Sequence, residues 1–257
     1  MLTFVPVPTP AKRSRFDLVE FVDRRIGADL QDGDVVIISS KFVAMSEGRV
    51  VKLTTVRPGA RAKELATRHH MDPKLCELVI RESDEIIGGI PGFLLAAKDG
   101  LLTPNAGIDK SNVAHGMVVL YPIKSDVSAR RIRESLRFSR GTSVGVVVCD
   151  SRLSPTRKGT TGVAVASSGI DAVLDMRGRS DLFGNVLKVT SQALADDLAS
   201  AAEVLMGESD EATPIVIARG VRKELLADEE SDGSRFAIPI DDDVFLRSLG
   251  YSQSAYA

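Results

Sequence analysis

The 257-residue chain is 44% hydrophobic and carries a formal net charge of -2 at pH 7, so it has enough apolar material for a sizeable core but no basic excess to neutralise a nucleic-acid backbone. No apolar run reaches membrane-span length and the N-terminus lacks the apolar core of a secretory signal. Two distant cysteines and three histidines make no zinc set, so a reduced, cytoplasmic protein with neither nucleic-acid nor membrane partners is expected.

In chain order, residues 2–7 (LTFVPV) predict a short strand ended by Pro-Thr-Pro, where proline removes ladder donors. Phe16, Leu18, Val19, Phe21, Val22 and Ile26 predict an amphipathic helix over 15–26. Residues 32–41 (DGDVVIISSK) read as a turn, a continuous apolar run and then hydroxyls: a buried strand running into a polar loop at Ser39, Ser40 and Lys41. Residues 48–53 suggest another strand. Two helices follow, over 60–70 and 72–83, the second with Asp72 as N-cap and Pro73 in first position. Glycine and proline turns between short apolar pieces from Gly88 to Asp109 predict a hairpin.

Residues 117–123 read as a strand, and 125–141 as a helix with a Ser-Asp start and a glycine stop. A second continuous apolar run, 142–151, ends in an acid and leads into a loop over 152–162. Residues 185–191 read as a strand before a helix in which Leu194, Leu198, Ala201, Ala202 and Leu205 recur at helical spacing. Residues 213–221 form the last buried strand, a charged stretch follows, and 250–257 read as a tail. Long apolar strands mixed with helices and hairpins indicate an α+β or mixed α/β fold, in one large domain or two small ones.

Acids and hydroxyls gather at the ends of these elements: Ser39-Ser40-Lys41, Asp150-Ser151, Gly207 to Glu211, and Asp109 in the turn TPNAGIDKSN. Strand ends are where mixed sheets build ligand sites. A Mg²⁺ or Mn²⁺ ion takes one or two carboxylates with phosphate oxygens and water, so Asp109, Asp150 and Glu208 suit one if the fold brings them together. Each also has a plain reading, as turn residue, cap and solvated acid. Lys41 and its serines fit a phosphate or simply end a strand. Arg157 and Lys158 offer a basic loop to an anionic substrate or to solvent. His69 and His70 are expected to be exposed or to serve a helix C-terminus, and Cys149 to lie in the core. No Walker A loop, dinucleotide fingerprint or nucleophile elbow is present.

The stretches GDVVIISSKFVAMSEGRVV, DPKLCELVIRES, NAGIDKSNV, VGVVVCDSRLSPTRKGTTGVAVASSGI and RGRSDLFGNVLKVTSQALADDLASAAEVLMGES, followed by PIVIARG, occur in that order from Gly33 to Gly220. In them the chain resembles the coenzyme F420-0:γ-glutamyl ligases. The resemblance implies a homodimer of intertwined mixed α/β subunits, each a single ligase-like unit over 1–249, or two interleaved sub-domains with a boundary near 85–190. It implies GTP as co-substrate, L-glutamate and an F420-0-like acceptor as partners, and Mg²⁺ or Mn²⁺, with K⁺ as an optional further ion. Asp109, Asp150, Ser151 and Glu208 then match metal-binding positions. Ser40, Lys41 and Asn112 match nucleotide contacts. The segment Met206 to Thr213, with Gly207 and Ser209, covers the GTP-binding segment, and Arg157 matches an acceptor-holding arginine beside the catalytic Asp109 and Asp150. The chain departs from the family pattern at Met45, where a second phosphate-facing lysine is expected. It departs again at Thr156, Thr160 and Gly162, which replace tryptophan, glutamine and aspartate. The departures imply a divergent member, with a changed acceptor or a non-catalytic, ligand-binding role as the alternative.

Overall fold

The computed structural model describes residues 1–12, 14–227 and 236–251. Its centre is a five-stranded sheet formed by β1 (Thr3–Val7), β2 (Val35–Ser39), β8 (Gly145–Leu153), β9 (Thr160–Ser168) and β12 (Ile215–Arg219), in the spatial order β1-β12-β2-β8-β9. Only β2 and β8 run parallel; the other neighbours are antiparallel. The two continuous apolar runs are thus adjacent central strands, buried on both faces, which is why they show no polar alternation. Val36, Ile38, Val146 and Val148 face one core with α1 (Leu18–Ile26) and α5 (Ser125–Arg140). Val35, Ile37, Val147 and Cys149 face another with α6 (Leu194–Met206). The sheet is the middle of three layers, a mixed α/β arrangement as expected.

A third core lies in a separate lobe, where α3 (Ala60–His69) and α4 (Pro73–Glu82) pack on a three-stranded meander, β4 (Glu85–Ile90), β5 (Phe93–Lys98) and β6 (Leu101–Pro104). A ribbon of β3 (Val50–Lys52) and β7 (Met117–Val119) runs alongside. Asp72 caps α4 through Lys74 N at 2.8 Å, with Pro73 in the first turn.

Three expectations change. Ser40 and Lys41 are not in a loop: they open a helix, α2 (Ser40–Glu47), which starts the residue after β2 ends and stops at Gly48 in the left-handed region. The loop expected over 152–162 is the tip of the β8–β9 hairpin, since β8 continues through Arg152 to Leu153. Residues 185–191 supply only Ser191, the first residue of β11 (Ser191–Gln192), to its two-residue pairing with β10 (Leu174–Asp175), and one further bridge, Ser180 to Val186. Of the two placements expected for the histidine pair, the helix C-terminus holds: His69 lies buried in the last turn of α3 and His70 is its left-handed C-cap. The His69 carbonyl accepts from Gly92 N at 2.7 Å, and its ring lies against Gly89, where a Cβ would come within 3.0 Å. Of the tail expected over 250–257, residues 252–257 lie outside the described residues, while Gly250 N and Tyr251 N donate to Arg247 O and Leu246 O.

Candidate active site

β2 and β8, being parallel, end on the same side of the sheet, and their ends supply Ser39 to Lys41 and Asp150 to Leu153. The C-terminus of α6 delivers Glu203 and Met206 to Glu208 to the same place, and the turn after β6 brings Asp109, Ser111 and Asn112 from the other lobe. Residues Thr9 to Lys12 close one side, tied down by Thr9 N donating to Ala212 O at 2.8 Å. Together these segments enclose a cleft of about 720 Å³, within the size range of small-molecule sites.

One turn depends on unusual backbone. Asn105, Ala106 and Gly107 all have positive φ, which lets Asn105 Oδ1 accept from Leu94 N at 2.9 Å. A Cβ on Gly107 would come within 2.4 Å of the Tyr121 ring, so this position has room for glycine alone, and its φ of +71° also favours one.

Acids and cations alternate around the wall. Lys41 Nζ lies 2.5 Å from Asp109 Oδ2 and donates to Ser111 Oγ at 2.6 Å, while Ser111 N and Oγ both donate to the Asp109 carboxylate. Burial disfavours the ionised form of Asp109, but the Lys41 charge and the Lys41 and Ser111 hydrogen bonds outweigh it and hold the carboxyl below its ordinary value. Asp150 accepts from Ser40 Oγ at 2.8 Å and from Arg152 Nε at 3.3 Å. Glu208 Oε1 accepts from Ser151 Oγ and Thr160 Oγ1, each at 2.5 Å. Glu203 shares this corner of the cleft with Glu208. Burial and then Glu208 push the Glu203 carboxyl up to about 7, whereas Glu208 is held below its ordinary value against its own burial by its hydrogen bonds to Glu203, Ser151 and Thr160.

Of the residues singled out from sequence, Lys41, Asp109, Asn112, Asp150, Ser151, Met206, Gly207, Glu208, Ser209 and Thr213 all line this cleft. Asn112 Nδ2 donates to Ser209 O at 2.6 Å, joining the turn of one lobe to the segment after α6. Ser40 stands behind the wall, buried and bonded to Asp150. Arg157 does not reach the cleft: it is exposed at the β8–β9 hairpin tip. Cys149 is in the core, 3.8 Å from the Met206 sulfur.

Sequence reasoning passed over Glu203 and Arg152. Glu203 sits on the polar side of a helix with a clear apolar repeat and gives no local signal. Arg152 had one: two positions after Asp150 on a strand, it shares the face of that aspartate. Met45 does line the cleft, where it adds an apolar surface and no charge.

Carboxylates, hydroxyls and cations thus meet at the ends of a parallel strand pair, where mixed α/β enzymes build their ligand clefts. A model of the F420-0:gamma-glutamyl ligase family matches residues 6–220, and the chain belongs to that family. Among its relatives, a coenzyme F420:L-glutamate ligase of Methanopyrus kandleri is 41% identical over 238 residues, 92% of each chain. One of Archaeoglobus fulgidus is 36% identical over 84% of this chain and 89% of its own, and one of Methanocaldococcus jannaschii 40% identical over 74% and 77%. No helix among the described residues is long and apolar enough to cross a membrane.

Proposed function

We propose that this protein is a GTP- and divalent-cation-dependent ligase that joins the amine of L-glutamate to the carboxylate of an F420-0-like acceptor. The observation that carries the reading is the placement of Asp109, Asp150 and Glu208 on one cleft, in a chain matched to the ligase family over 6–220.

The donor set suits Mg²⁺ or Mn²⁺, which favour hard oxygen ligands. Among the described residues no three acids, histidines or cysteines already meet at one point. Asp109 is engaged by Lys41, Asp150 by Ser40 and Arg152, and Glu208 by Ser151 and Thr160. These carboxylates would hold the cation, with Ser151, by exchanging internal partners for it. A bound divalent ion would supply charge neutralisation for the nucleotide phosphates.

A carboxylate is a poor electrophile. In the proposed reaction the acceptor carboxylate oxygen attacks the γ-phosphorus of GTP, the bond to GDP breaks, and an acyl phosphate forms. The glutamate amine then attacks the acyl carbon, loses its proton and expels inorganic phosphate. Lys41, once released from Asp109, reaches the phosphates as a point charge. Asn112 and the segment Met206 to Thr213 offer amide and hydroxyl contacts to the nucleotide. The apolar wall from Met45, Phe93 and Leu153 suits a flat ring system.

Purified protein given GTP, Mn²⁺, glutamate and F420-0 is expected to release GDP and yield an acceptor heavier by one or more glutamates. Absence of product with GTP binding intact would overturn the acceptor assignment. Asp150→Asn is expected to lower turnover by about 100-fold or more, since even outer-shell partners of metal ligands cost 10- to 100-fold. The uncharged Met45 on the cleft wall favours a second reading, a member with an altered acceptor or a ligand-binding role without turnover. Leu182 and Phe183, fully and nine-tenths exposed on the 175–191 arm, support the expected homodimer. Two buried free cysteines agree with a cytoplasmic setting.

A further inference from the structure

We infer that Arg152 is the guanidinium that receives the reacting oxyanion in this cleft, the role its sequence context pointed to Arg157 for. Arg157 is exposed at the hairpin tip, whereas Arg152 is 7% exposed and lines the cleft. A guanidinium has five N–H donors in a planar fork. Two are committed: Nε donates to Asp150 Oδ2 at 3.3 Å and Nη2 to Tyr121 Oη at 2.9 Å. The other three have no partner among the described residues. A charge buried to this degree with three unanswered donors is costly unless a ligand answers them.

The other lining cations are otherwise employed. Lys41 is paired with Asp109 and Ser111, and Lys12 Nζ sits over the rings of Phe16 and Phe21, 5.0 and 4.1 Å from their centroids. Arg152 is also the best held of the three. Tyr121 is buried, its backbone carbonyl takes Arg49 Nε at 3.1 Å, and Gly107 lies against its ring. Burial raises the Tyr121 phenol well above its ordinary value, which keeps it a neutral hydroxyl. Tyr121 is a positioning residue: with Asp150 it fixes the guanidinium plane and leaves the free edge to the cleft. Such an edge matches a carboxylate or a phosphoryl group in bidentate fashion.

Both oxyanions occur in the proposed reaction, so the identity of the ligand rests on the ligase reading, while the anion contact itself does not. Titration calorimetry of wild type, Arg152→Met, Arg152→Lys and Tyr121→Phe tests it, using inorganic pyrophosphate without metal, then GTP and F420-0 each with Mn²⁺. Wild type is expected to bind pyrophosphate, with Arg152→Met weakened about tenfold or more and Tyr121→Phe weakened less. Beside that loss, weaker binding of GTP but not of F420-0 assigns the phosphoryl group, and weaker binding of F420-0 but not of GTP assigns the acceptor carboxylate. Equal affinity of wild type and Arg152→Met for all three probes overturns the inference, as does wild type that binds no pyrophosphate. If Arg152→Met does not fold, Arg152→Lys keeps the charge and loses the fork, and wild-type affinity there overturns it too. Arg152-dependent pyrophosphate binding with no glutamyl product leaves the inference standing and removes the ligase reading.

Discussion

Gly162 on β9 lies directly against Ala199 on α6: a Cβ on the glycine would come within 2.4 Å of the Ala199 carbonyl oxygen and 2.9 Å of Ser200 N. Ser200 Oγ donates to Gly162 O at 2.7 Å, locking helix to strand at that point. This alters the meaning of one departure from the ligase pattern. Gly162 does not mark an acid lost from the cleft, because the position faces the packed helix; it marks a close approach that a side chain would forbid.

Gly162→Ala is therefore expected to destabilise the protein by about 1–3 kcal/mol, the usual cost of overpacking a tight contact. For a chain of this size that lowers the melting temperature by several degrees. Gly162→Asp should cost more, since it also pushes a carboxylate against a backbone carbonyl. Thermal melts followed by circular dichroism check both, and an unchanged melt for Gly162→Ala would show that α6 shifts freely here.

Lys41 and Asp109 give the second prediction. The ammonium lies 2.5 Å from a carboxylate proposed to take a divalent cation, so the two cations compete for the same oxygens. Lys41→Met is expected to tighten Mn²⁺ binding to the nucleotide-free protein and to weaken GTP binding about tenfold, as befits loss of a charge-assisted contact. Electron paramagnetic resonance titration of free Mn²⁺ and calorimetry with GTP read the two effects separately. Weaker Mn²⁺ binding in the variant would count against the exchange of partners at Asp109.

How much of this was readable from the chain depends on the kind of signal. The central strands declared themselves because burial on both faces leaves an unbroken apolar run, as in Val35 to Ile38 and Val146 to Cys149. The helix Ser40–Glu47 did not: it follows β2 without a turn residue, and Phe42, Val43, Ala44 and Ser46 are all buried, which blurs the helical period. The same lack of a turn signal hid the extension of β8 to Leu153 and, with it, the delivery of Arg152. Most expected cleft residues do line one cleft, because they stand at element ends and the parallel pair β2–β8 with α6 gathers those ends. Their partners were beyond reach from sequence, since the Lys41–Asp109 and Ser151–Glu208 contacts join segments 68 and 57 residues apart.

Asp23 supplies a prediction about pH away from the cleft. Its carboxylate accepts from Ser139 Oγ at 2.7 Å and from Arg140 Nε and Nη2 at 2.9 and 3.1 Å, clamping α1 to the end of α5. The Arg140 hydrogen bond, more than any other cause, holds the carboxyl below its ordinary value of 3.8. A depressed carboxyl contributes stability that is present above the unfolded value and lost as pH falls through the folded one. Asp23→Asn is thus expected to melt lower than wild type at neutral pH, with the gap closing below about pH 4. Melts of both proteins across that window check it; a gap that persists in acid would mean the clamp is not ionic.

The arm between β10 and β11 carries the last prediction. Leu182, Phe183 and Val189 project into solvent at 100%, 91% and 87% exposure, and Val186 at 56%. Beneath them the arm is well ordered by its own polar contacts, with Asp181 accepting from Phe183 N and Asn185 N at 2.8 Å each and from Asn185 Nδ2 at 2.9 Å. An apolar tip held in shape by hydrogen bonds is built to contact something, and the homodimer proposed above is the partner it suits. Wild type is expected to run as a dimer in light scattering. Leu182→Asp with Phe183→Asp should give a monomer that keeps its circular dichroism spectrum, because neither side chain contributes to the cores of the subunit. A dimer that survives both substitutions would place the interface elsewhere on the chain.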